Sequence, residues 1–403
     1  MNTNYSIINL LFMNVKELLR NTEIVIGEEE FSDKVANGEK LKIKFGVDPT
    51  RPDLTFGHLV VFNKLKQFQD LGHEAILLIG DYTARIGDPS GRSDLRPELT
   101  EEEVNENAKT YLEQAFRIID PEKTTVRRNS EWFSKMNFAD SLALSRKMTV
   151  ARMLERDDFE KRFKNNQPIS MVEFMYPLIQ GYDSIVLESD VEIGGSDQLF
   201  NMLVGRALQK DEGARPQTIL TMPLLVGLDG KKKMSKSYDN FIAFNDRSKD
   251  IFGKTMSISD HTMWDYYKLL LLKNEDSIND LKKNHPMEMK KELAKELTAL
   301  FYSPEIAENE KKSFSNVFTQ RENPEEMDSY SIAEILTPEE RPNVLNILAK
   351  SMVFESKGQI RRLIQQGAIK IDGQKVEQPE DIIDVKSGVV VKAGKKIFFK
   401  VVS

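Results

Sequence analysis

Short apolar runs alternate with amphipathic stretches over residues 41–242. The apolar runs occur in LKIKFGV, HEAILLIGD, SDVEIGG and TILTMPLLVG, and they are bounded by Gly, Asp and Pro. Stretches such as GHLVVFNKLKQFQDLG lie between them and place apolar residues three and four apart, which is the spacing of one helix face. Short buried runs of this kind predict parallel strands joined by right-handed helical crossovers. We therefore predict an α/β fold with a doubly wound, Rossmann-like parallel sheet.

The pattern changes on both sides of this region. Residues 1–40 predict an N-terminal helical segment. Residues 243–320 lose the strand signal, and MWDYYKLLLL and EMKKELAKELTALFY predict an all-helical domain. Residues 321–340 are polar, acidic and proline-containing, which is typical of a linker. Residues 341–403 predict a small α+β domain in which a helix precedes short strands.

Several predicted strands are followed by loops with candidate chemistry. The loops read GVDPT, GDYTARIGDPSG, IGGSDQ and GLDGKKKMSKS. Ligands of open parallel sheets bind at the carboxyl ends of the strands, because the loops that follow the strands meet there. We therefore expect these loops to face one crevice.

Charge and composition narrow the possible functions. The chain carries 57 Lys and Arg against 64 Asp and Glu, a formal net charge of −7, so its global charge does not indicate nucleic-acid binding. Residues 356–403 nevertheless hold ten basic and five acidic residues, which predicts a local RNA-binding surface. The absence of Cys excludes a disulfide framework, a thiol nucleophile and cysteine-ligated zinc.

The N-terminus and the cysteine content also bear on location. The apolar run near the N-terminus has only about seven residues, which is too short for a transmembrane helix. The lack of Cys fits a reducing compartment. We expect a cytoplasmic protein with no membrane partner.

Two short motifs predict a phosphate site. KMSKS spans residues 233–237, in a loop rich in Gly and Lys. Thr55-Phe56-Gly57-His58 lies at a predicted helix start, where free N–H groups and a partial positive charge attract phosphates. A lysine run by itself is typical of a solvated surface. The two motifs together favour binding of a nucleotide.

A third cluster lies in MYPLIQGYDS. Tyr176, Gln180 and Asp183 are four and three residues apart, so they share one helix face. The structural alternative is a half-buried helix whose polar residues are all hydrogen-bonded within the protein.

These motifs resemble those of the class I aminoacyl-tRNA synthetases, whose signatures are His-x-Gly-His and Lys-Met-Ser-Lys-Ser. The second signature is intact here, and Thr55 replaces the leading histidine of the first. The helix cluster, together with IGDPSG and EIGGSDQ, resembles that of the bacterial tyrosyl-tRNA synthetases. IRRLIQQGAIKIDG resembles the small RNA-binding domain that ends many of them. The resemblance runs from about residue 40 to residue 403. Within the family, the chain resembles the type 2 subgroup.

The resemblance implies an ATP-dependent enzyme that forms tyrosyl-adenylate from L-tyrosine and transfers tyrosine to the 3′ end of tRNA(Tyr). The catalytic residues it implies are Thr50, His58, Lys233, Ser235 and Lys236. The ATP contacts are Asp48, Thr55, Gly57, His58, Gly195, Asp197 and Lys236. The tyrosine contacts are Asp88, Tyr176, Gln180, Asp183 and Gln198, with Asp183 accepting a hydrogen bond from the phenol. The RNA contacts are Arg361, Arg362 and Lys370.

The resemblance further implies ATP with Mg²⁺ as a substrate complex, no tightly bound cofactor, no metal site of the protein, and a homodimer with its interface near residues 140–170. Related enzymes place a second tyrosine against the phenol where this chain has Lys44. Either Lys44 turns away or the hydroxyl is read mainly by Asp183.

Two alternatives stay open. The first is tryptophan activation, which Asp183 and the C-terminal domain disfavour. The second is an RNA-binding relative without the chemistry, suggested by Thr55 and disfavoured by the intact KMSKS loop.

Overall fold

The computed structural model describes residues 15–88, 99–316, 327–332, 336–337, 340, 342–351, 353–354, 356–382, 388–394 and 397–402. The chain divides into two compact units, Met1–Pro304 and Glu305–Ser403.

A six-stranded sheet organises the first unit. Its strands are β1 (Ile24–Ile26), β2 (Lys42–Val47), β3 (Glu74–Ile79), β4 (Thr124–Arg128), β5 (Val191–Gly195) and β6 (Thr218–Met222). Their order across the sheet is β1-β6-β5-β2-β3-β4, and every neighbouring pair is parallel except β1 with β6. β3 and β6 are buried almost throughout, as expected of strands inside a parallel sheet. The predicted fold class is confirmed.

The antiparallel edge strand β1 differs from the prediction. It lies in the segment 1–40, whose pattern predicts helix, of which residues 1–14 lie outside the described residues. Its three residues Ile-Val-Ile are β-branched, which favours extended backbone, and they pair with β6. A three-residue strand is too short to show a period in the sequence.

Helices connect and cover these strands. They are α1 (Glu28–Ala36), α2 (Phe56–Asp70), α3 (Thr83–Ile86), α4 (Glu101–Ala115), α5 (Ser130–Phe133), α6 (Phe138–Ser145), α7 (Val150–Met153), α8 (Asp157–Lys164), α9 (Met171–Leu187) and α10 (Leu199–Asp211). The helical region that follows comprises α11 (Ser248–Ser257), α12 (Asp260–Leu269), α13 (Glu275–Leu281) and α14 (Pro286–Phe301), and α15 spans Pro304–Ser315.

The start of α2 is anchored in a core shared with the helical region. Phe56 stacks on Phe301 with ring centroids 5.2 Å apart, and Phe244 lies 4.7 Å from Phe301. All three belong to, or pack against, one continuous apolar core. The N-terminus of α2 is therefore anchored by packing against the helical region.

The sheet order reverses between β2 and β5. β2 leads along the chain to β3 on one side, whereas its other neighbour, β5, is reached only after α9. Loops that follow β2 and β5 must diverge at this point, and the divergence opens a crevice at the carboxyl ends of the two strands.

The second unit is built on a smaller sheet. Its elements are β7 (Asp328–Ser331), α16 (Val344–Lys350), α17 (Lys357–Gln365), β8 (Ile369–Ile371), β9 (Gln374–Lys375), β10 (Val389–Ala393) and β11 (Ile397–Val402). The order is β7-β11-β10-β8-β9, and only the β7–β11 pair is parallel. Buried aliphatic residues of α16, α17 and the strands form its own core.

β7 lies inside the range 321–340, for which the sequence predicts a linker. Its sequence, Asp-Ser-Tyr-Ser, has no apolar run, so the local pattern carries no strand signal. The strand exists because it pairs in parallel with β11, some seventy residues later in the chain.

Candidate active site

A cavity of about 540 Å³ opens at the carboxyl ends of β2 and β5. Every residue to which the sequence assigns a catalytic, ATP-binding or tyrosine-binding role lines it: Asp48, Thr50, Thr55, Gly57, His58, Asp88, Tyr176, Gln180, Asp183, Gly195, Asp197, Gln198, Lys233, Ser235 and Lys236. The individual roles of these residues remain predictions. We call the residues contributed by β2, β5, α9 and α10 the helix side, and those of the α2 start and the 233–237 loop the loop side.

α9 presents the predicted cluster to the cavity. It packs closely along α10, where a Cβ on Gly181 would lie 3.0 Å from the backbone nitrogen of Gly205. This close approach fixes the rotation of α9, so that Tyr176, Gln180 and Asp183 all line the cavity.

Asp183 is a buried carboxylate held by two neutral donors. Trp132 Nε1 donates to Oδ1 at 3.0 Å, and Asn129 Nδ2 lies 3.4 Å from Oδ2. Burial raises the pKa of Asp183 to about 8, and the charge of Lys44 and these two donors offset only part of that rise. At neutral pH the carboxyl group is therefore mostly protonated, and its ionised form is the one that can accept from a hydroxyl in the cavity.

Asp48 and Tyr176 are joined directly, although the sequence assigns them to different substrates. The Tyr176 hydroxyl donates to Asp48 Oδ2 at 2.8 Å, and the Thr83 hydroxyl donates to Oδ1 at 2.8 Å. A Cβ on Gly80 would lie 2.1 Å from Asp48 Oδ1, so only glycine leaves room for the carboxylate. Asp48 is thereby fixed where β2 ends.

A chain of amides links α9 to α10. Asn201 Nδ2 donates to Gln180 Oε1 at 2.9 Å and to Gln198 Oε1 at 3.2 Å. Gln198 Nε2 in turn donates to Asp88 Oδ2 at 3.0 Å. Three predicted tyrosine contacts are therefore connected through Asn201, a residue that the sequence reading did not single out.

Lys44 lies in the cavity wall. It is fully buried and lines the cavity beside Asp183. Its Nζ lies 3.0 Å from Glu192 Oε1, 2.9 Å from Ser184 Oγ and 3.1 Å from the carbonyl oxygen of Gln180. Its ammonium is therefore directed at protein acceptors, and both alternatives for Lys44 stay predictions.

Thr55 and His58 begin α2 as a capping box. The Thr55 amide donates to His58 Nδ1 at 3.1 Å, and Thr55 Oγ1 lies 3.0 Å from the same nitrogen. Because Nδ1 accepts, the neutral imidazole carries its proton on Nε2. Burial and the charge of Lys236 lower the pKa of His58 to about 4, so the ring at neutral pH is an uncharged donor.

The two lysines of the loop differ in their partners. Lys233 Nζ lies 2.6 Å from Asp197 Oδ2. Lys236 Nζ is buried and has no hydrogen-bond partner among the described residues. Burial lowers the pKa of Lys236 to about 8. A buried ammonium without a partner is unfavourable, and an anion that entered the cavity would relieve it.

Hydrogen bonds within the loop between Gly227 and Asn240 hold its backbone in place. Asn240 Oδ1 accepts from the backbone N–H of Ser235 at 2.8 Å, and Asn240 Nδ2 donates to Asp229 Oδ2 at 2.9 Å. Asp229 Oδ1 also accepts from the backbone N–H groups of Lys231 and Lys232. Ser235 is thus held by its backbone, whereas Lys233 is held through its side chain by the ion pair with Asp197.

The predicted RNA contacts all lie in the second unit. Arg361 and Arg362 are exposed on α17, and Lys370 is exposed on β8. Lys370 pairs across the sheet with Lys375 on β9 and with Lys392 on β10. Three lysines in neighbouring strand positions repel one another, so this face favours a polyanion.

Several residues next to Asp183 and Lys44 were not predicted. They are Glu192, Ser184, Asn129 and Trp132, which come from three separate segments, and of the four only Glu192 lines the cavity. Only Ser184, four residues after Gln180 on the same helix, had a usable sequence signal. In the described ranges no group of three or more His, Cys, Asp or Glu residues is arranged to hold a metal ion. No helix within those ranges is long and apolar enough to cross a bilayer.

This fold and site have known counterparts. Residues 36–319 match the family described as tRNA synthetases class I (W and Y), and residues 344–390 match the S4 domain. The chain therefore belongs to the class I tRNA synthetases. The protein from Thermotoga maritima named tyrosine–tRNA ligase is 47% identical over 393 residues and covers 96% of both chains. That from Chlorobaculum tepidum is 48% identical over 404 residues, covering 97% of this chain and 98% of its own length.

Within that class, these relatives identify the chain as a member of the bacterial tyrosyl-tRNA synthetases. A solved structure of tyrosyl-tRNA synthetase complexed with L-tyrosine, from Archaeoglobus fulgidus, agrees with a TM-score of 0.62 at 25% identity. It covers 75% of this chain and 99% of its own. The predicted family is confirmed, and the type 2 subgroup stays a prediction.

Proposed function

We propose that the cavity is the active site at which this chain attaches tyrosine to tRNA, using the residues that line it. The reaction has two steps. L-Tyrosine reacts with ATP to give tyrosyl-adenylate and pyrophosphate, and the tyrosyl group then passes to the 3′ end of tRNA(Tyr).

The observation that carries the nucleotide assignment is the unpartnered ammonium of Lys236 beside the start of α2. The helix N-terminus, the Nε2 donor of His58 and this ammonium together favour a polyphosphate. We assign Asp48, Thr50, Thr55 and Gly57 to the walls around the phosphates, and Gly195 and Asp197 to the ribose. Mg²⁺ enters with ATP as a substrate complex, held largely by phosphate oxygens and water.

The first step needs no general base. The carboxylate of tyrosine is ionised at neutral pH and attacks the α-phosphorus, and the bond from that phosphorus to the bridging oxygen of the pyrophosphate breaks. The protein supplies position and positive charge as the pyrophosphate leaves. We assign this charge to Lys233 and Lys236, with Ser235 holding the loop and His58 donating a neutral hydrogen bond.

Lys233 must change partner for this role. In the structure it is paired with Asp197, the residue assigned to the ribose. Nucleotide binding therefore competes for Asp197 and releases the Lys233 ammonium toward the phosphates. In the second step a ribose hydroxyl of the tRNA attacks the acyl carbon, and AMP leaves.

Tyrosine is held by α9 on the helix side together with Asp88 and Gln198. We assign its phenol to Asp183, its ammonium group to Asp88, Tyr176 and Gln180, and its carboxyl end to Gln198. A buried acceptor favours tyrosine because phenylalanine has no hydroxyl to donate to Asp183.

The decisive assay is exchange of labelled pyrophosphate into ATP in the absence of tRNA, with tyrosine, phenylalanine or tryptophan. We expect exchange with tyrosine alone, which would show that the site works with Thr55 in the first motif. Exchange with tryptophan would overturn the assignment of Asp183. No exchange from folded protein that still binds tRNA would favour the RNA-binding alternative.

We further propose a homodimer. Large apolar side chains are exposed along residues 138–172, which include the range predicted for the interface: Phe138 77%, Leu142 47%, Val150 58%, Phe163 63%, Met171 73% and Val172 49%. Exposed apolar residues concentrated in one range mark an interface. Sedimentation of the protein at micromolar concentration should show a dimer, and the substitution Phe138→Asp should shift it toward monomer. A purely monomeric wild type would reject this proposal.

We propose that the second unit binds tRNA through Arg361, Arg362 and Lys370. We expect Lys370→Ala to weaken tRNA binding and to reduce the slope of binding against salt by about one charge. An unchanged slope would remove Lys370 from the contact surface. A cytoplasmic location is proposed because charged tRNA serves protein synthesis there.

A further inference from the structure

The strongest unassigned feature is the buried charge of Lys44. An ammonium has three hydrogens, and here each one has an acceptor: Glu192, Ser184 and the Gln180 carbonyl. A lysine without exposed atoms is rare, and it is tolerated where its hydrogen bonds are complete. Lys44 is therefore built into the cavity wall.

Glu192 completes the arrangement from the neighbouring strand. Lys44 on β2 and Glu192 on β5 are directly paired positions of the parallel ladder. Besides Lys44, the carboxylate accepts from the Ser184 hydroxyl at 3.2 Å, from the Gln217 amide, and from Gln180 Nε2 at 3.4 Å. The pair is fixed by the sheet and by α9 together.

Asp183 lies between the two points at which Lys44 is bonded to α9. Lys44 contacts residues 180 and 184 of the helix, and Asp183 precedes the second of these. The charged groups that act on Asp183 are Lys44 from β2 and Glu192 from β5, and the neutral donors are Trp132 and Asn129. The buried ammonium of Lys44 therefore acts on two buried carboxyl groups, those of Glu192 and Asp183.

We propose that Lys44 and Glu192 are positioning residues that set the protonation state of Asp183 and thereby the recognition of the tyrosine hydroxyl. The proposal rests on the assignment of Asp183 to the phenol. When tyrosine binds, its hydroxyl donates to the Asp183 carboxylate, and the proton that Asp183 held before binding leaves to solvent.

The pKa of Asp183, raised by burial to about 8, agrees with this sequence of events. Lys44 is the strongest influence that lowers it, and Glu192 raises it further. The two residues of the pair thus act on Asp183 in opposite directions, which separates this role from simple support of the fold.

Calorimetry of tyrosine binding to the full chain, in buffers with different ionisation enthalpies, measures the protons released. We expect the wild type to release close to one proton at pH 7 and progressively fewer above pH 8. Lys44→Met should extend the release to higher pH. Glu192→Gln should end it at lower pH.

Shifts in the same direction, or no shift in either variant, would overturn the proposal, because a structural role predicts no difference in sign. Lys44→Met leaves Glu192 buried without its cation and is the variant most exposed to misfolding. Glu192→Gln keeps the shape of the side chain and carries the test by itself. The double variant Lys44→Met with Glu192→Gln removes both charges, and its release should end between those of the single variants.

The variant Asp183→Asn distinguishes this proposal from the one on which it rests, the assignment of Asp183 to the phenol. Loss of proton release in Asp183→Asn identifies Asp183 as the group, and unshifted release in both pair variants would then reject only the role of Lys44 and Glu192. Release that persists in Asp183→Asn would remove Asp183 from the phenol site and overturn both proposals.

Discussion

The two sides of the cavity are built in opposite ways. On the helix side, Asp183, Lys44, Glu192 and Asn201 are buried, and each is hydrogen-bonded to neighbours on strands or helices. On the loop side, Lys236 has no partner among the described residues, and Lys233 has an ion pair that is partly exposed. In the proposed assignment, tyrosine therefore meets side chains whose hydrogen bonds are complete, whereas the phosphates of ATP meet the Lys236 ammonium, which has no hydrogen-bond partner among the described residues.

This difference follows from what each step requires. Selection of one amino acid needs acceptors that cannot rearrange to suit a competitor, and buried networks supply them. Stabilisation of the leaving pyrophosphate needs positive charge on the protein that interacts most strongly as the pyrophosphate forms. Protein groups must therefore not neutralise this charge beforehand. Substitutions on the helix side should therefore lower the selectivity for tyrosine, whereas substitutions on the loop side should lower the reaction rate.

The largest effect is expected at Lys236. Lys236→Ala should lower the rate of pyrophosphate exchange by roughly 10²- to 10³-fold, since one preorganised donor to the developing charge is lost. Tyrosine binding, measured by calorimetry, should be unchanged. Lys231 is exposed in the same loop and does not line the cavity, so Lys231→Ala is the matched control and should keep the wild-type rate. Equal rates for the two variants would contradict the assignment.

A smaller effect, on tyrosine binding rather than on rate, is expected at Asp183. Asp183→Asn should weaken tyrosine binding by about 10- to 100-fold, because a hydrogen bond to a charged acceptor is replaced by a neutral one. Phenylalanine binding should change much less, so selectivity falls while the maximal rate is largely retained. Competition between the two amino acids in the exchange assay measures this. Full retention of selectivity would show that another residue reads the hydroxyl.

Gly57 tests whether the loop side is shaped for a ligand rather than for the fold. A Cβ at Gly57 would meet Thr55 Oγ1 at 3.4 Å, an ordinary contact, so the protein itself has room for alanine. We expect Gly57→Ala to raise the KM for ATP about tenfold, or ~1.4 kcal/mol, without loss of thermal stability. Gly253→Ala in α11, where nothing lies within 4 Å, is the control and should leave the KM unchanged. Destabilisation by Gly57→Ala would assign Gly57 to the fold instead.

The smallest expected effect is a pH dependence of the loop side. The ammonium form of Lys236 is the one that attracts phosphate, and burial lowers its pKa to about 8. The kcat/KM for ATP should therefore be level below pH 8 and fall above it, approaching a tenfold loss per pH unit. Lys236→Arg keeps its charge at these pH values, so its profile should lack this decline. A decline that persists in Lys236→Arg would belong to another group.

The sequence predicts the loop side better than the helix side. KMSKS and Thr55-Phe56-Gly57-His58 are contiguous, and their place after strands follows from the alternation of apolar runs. The shared face of Tyr176, Gln180 and Asp183 follows from helix periodicity. Local pattern was therefore sufficient for residues whose neighbours in space are also neighbours in sequence.

The helix side depends on pairings that no local pattern contains. Lys44 meets Glu192 because β2 and β5 lie side by side at one particular register, and Trp132 meets Asp183 through the segment after β4. The same reason explains the unpredicted strands β1 and β7, which exist only through their partners β6 and β11. In each case the missing information is a register between distant segments.

The capping box at the start of α2 has a consequence for how this enzyme tolerates change. His58 closes the first turn of its helix through Thr55 while it also faces the cavity, so in the proposed mechanism one side chain serves folding and chemistry together. Lys236 makes no such contribution. In a mutational scan, a screen for folded protein should reject changes at position 58 and accept them at position 236, whereas a screen for growth should reject both. Position 58 would then look like an ordinary stability position, and its part in the reaction would be hidden.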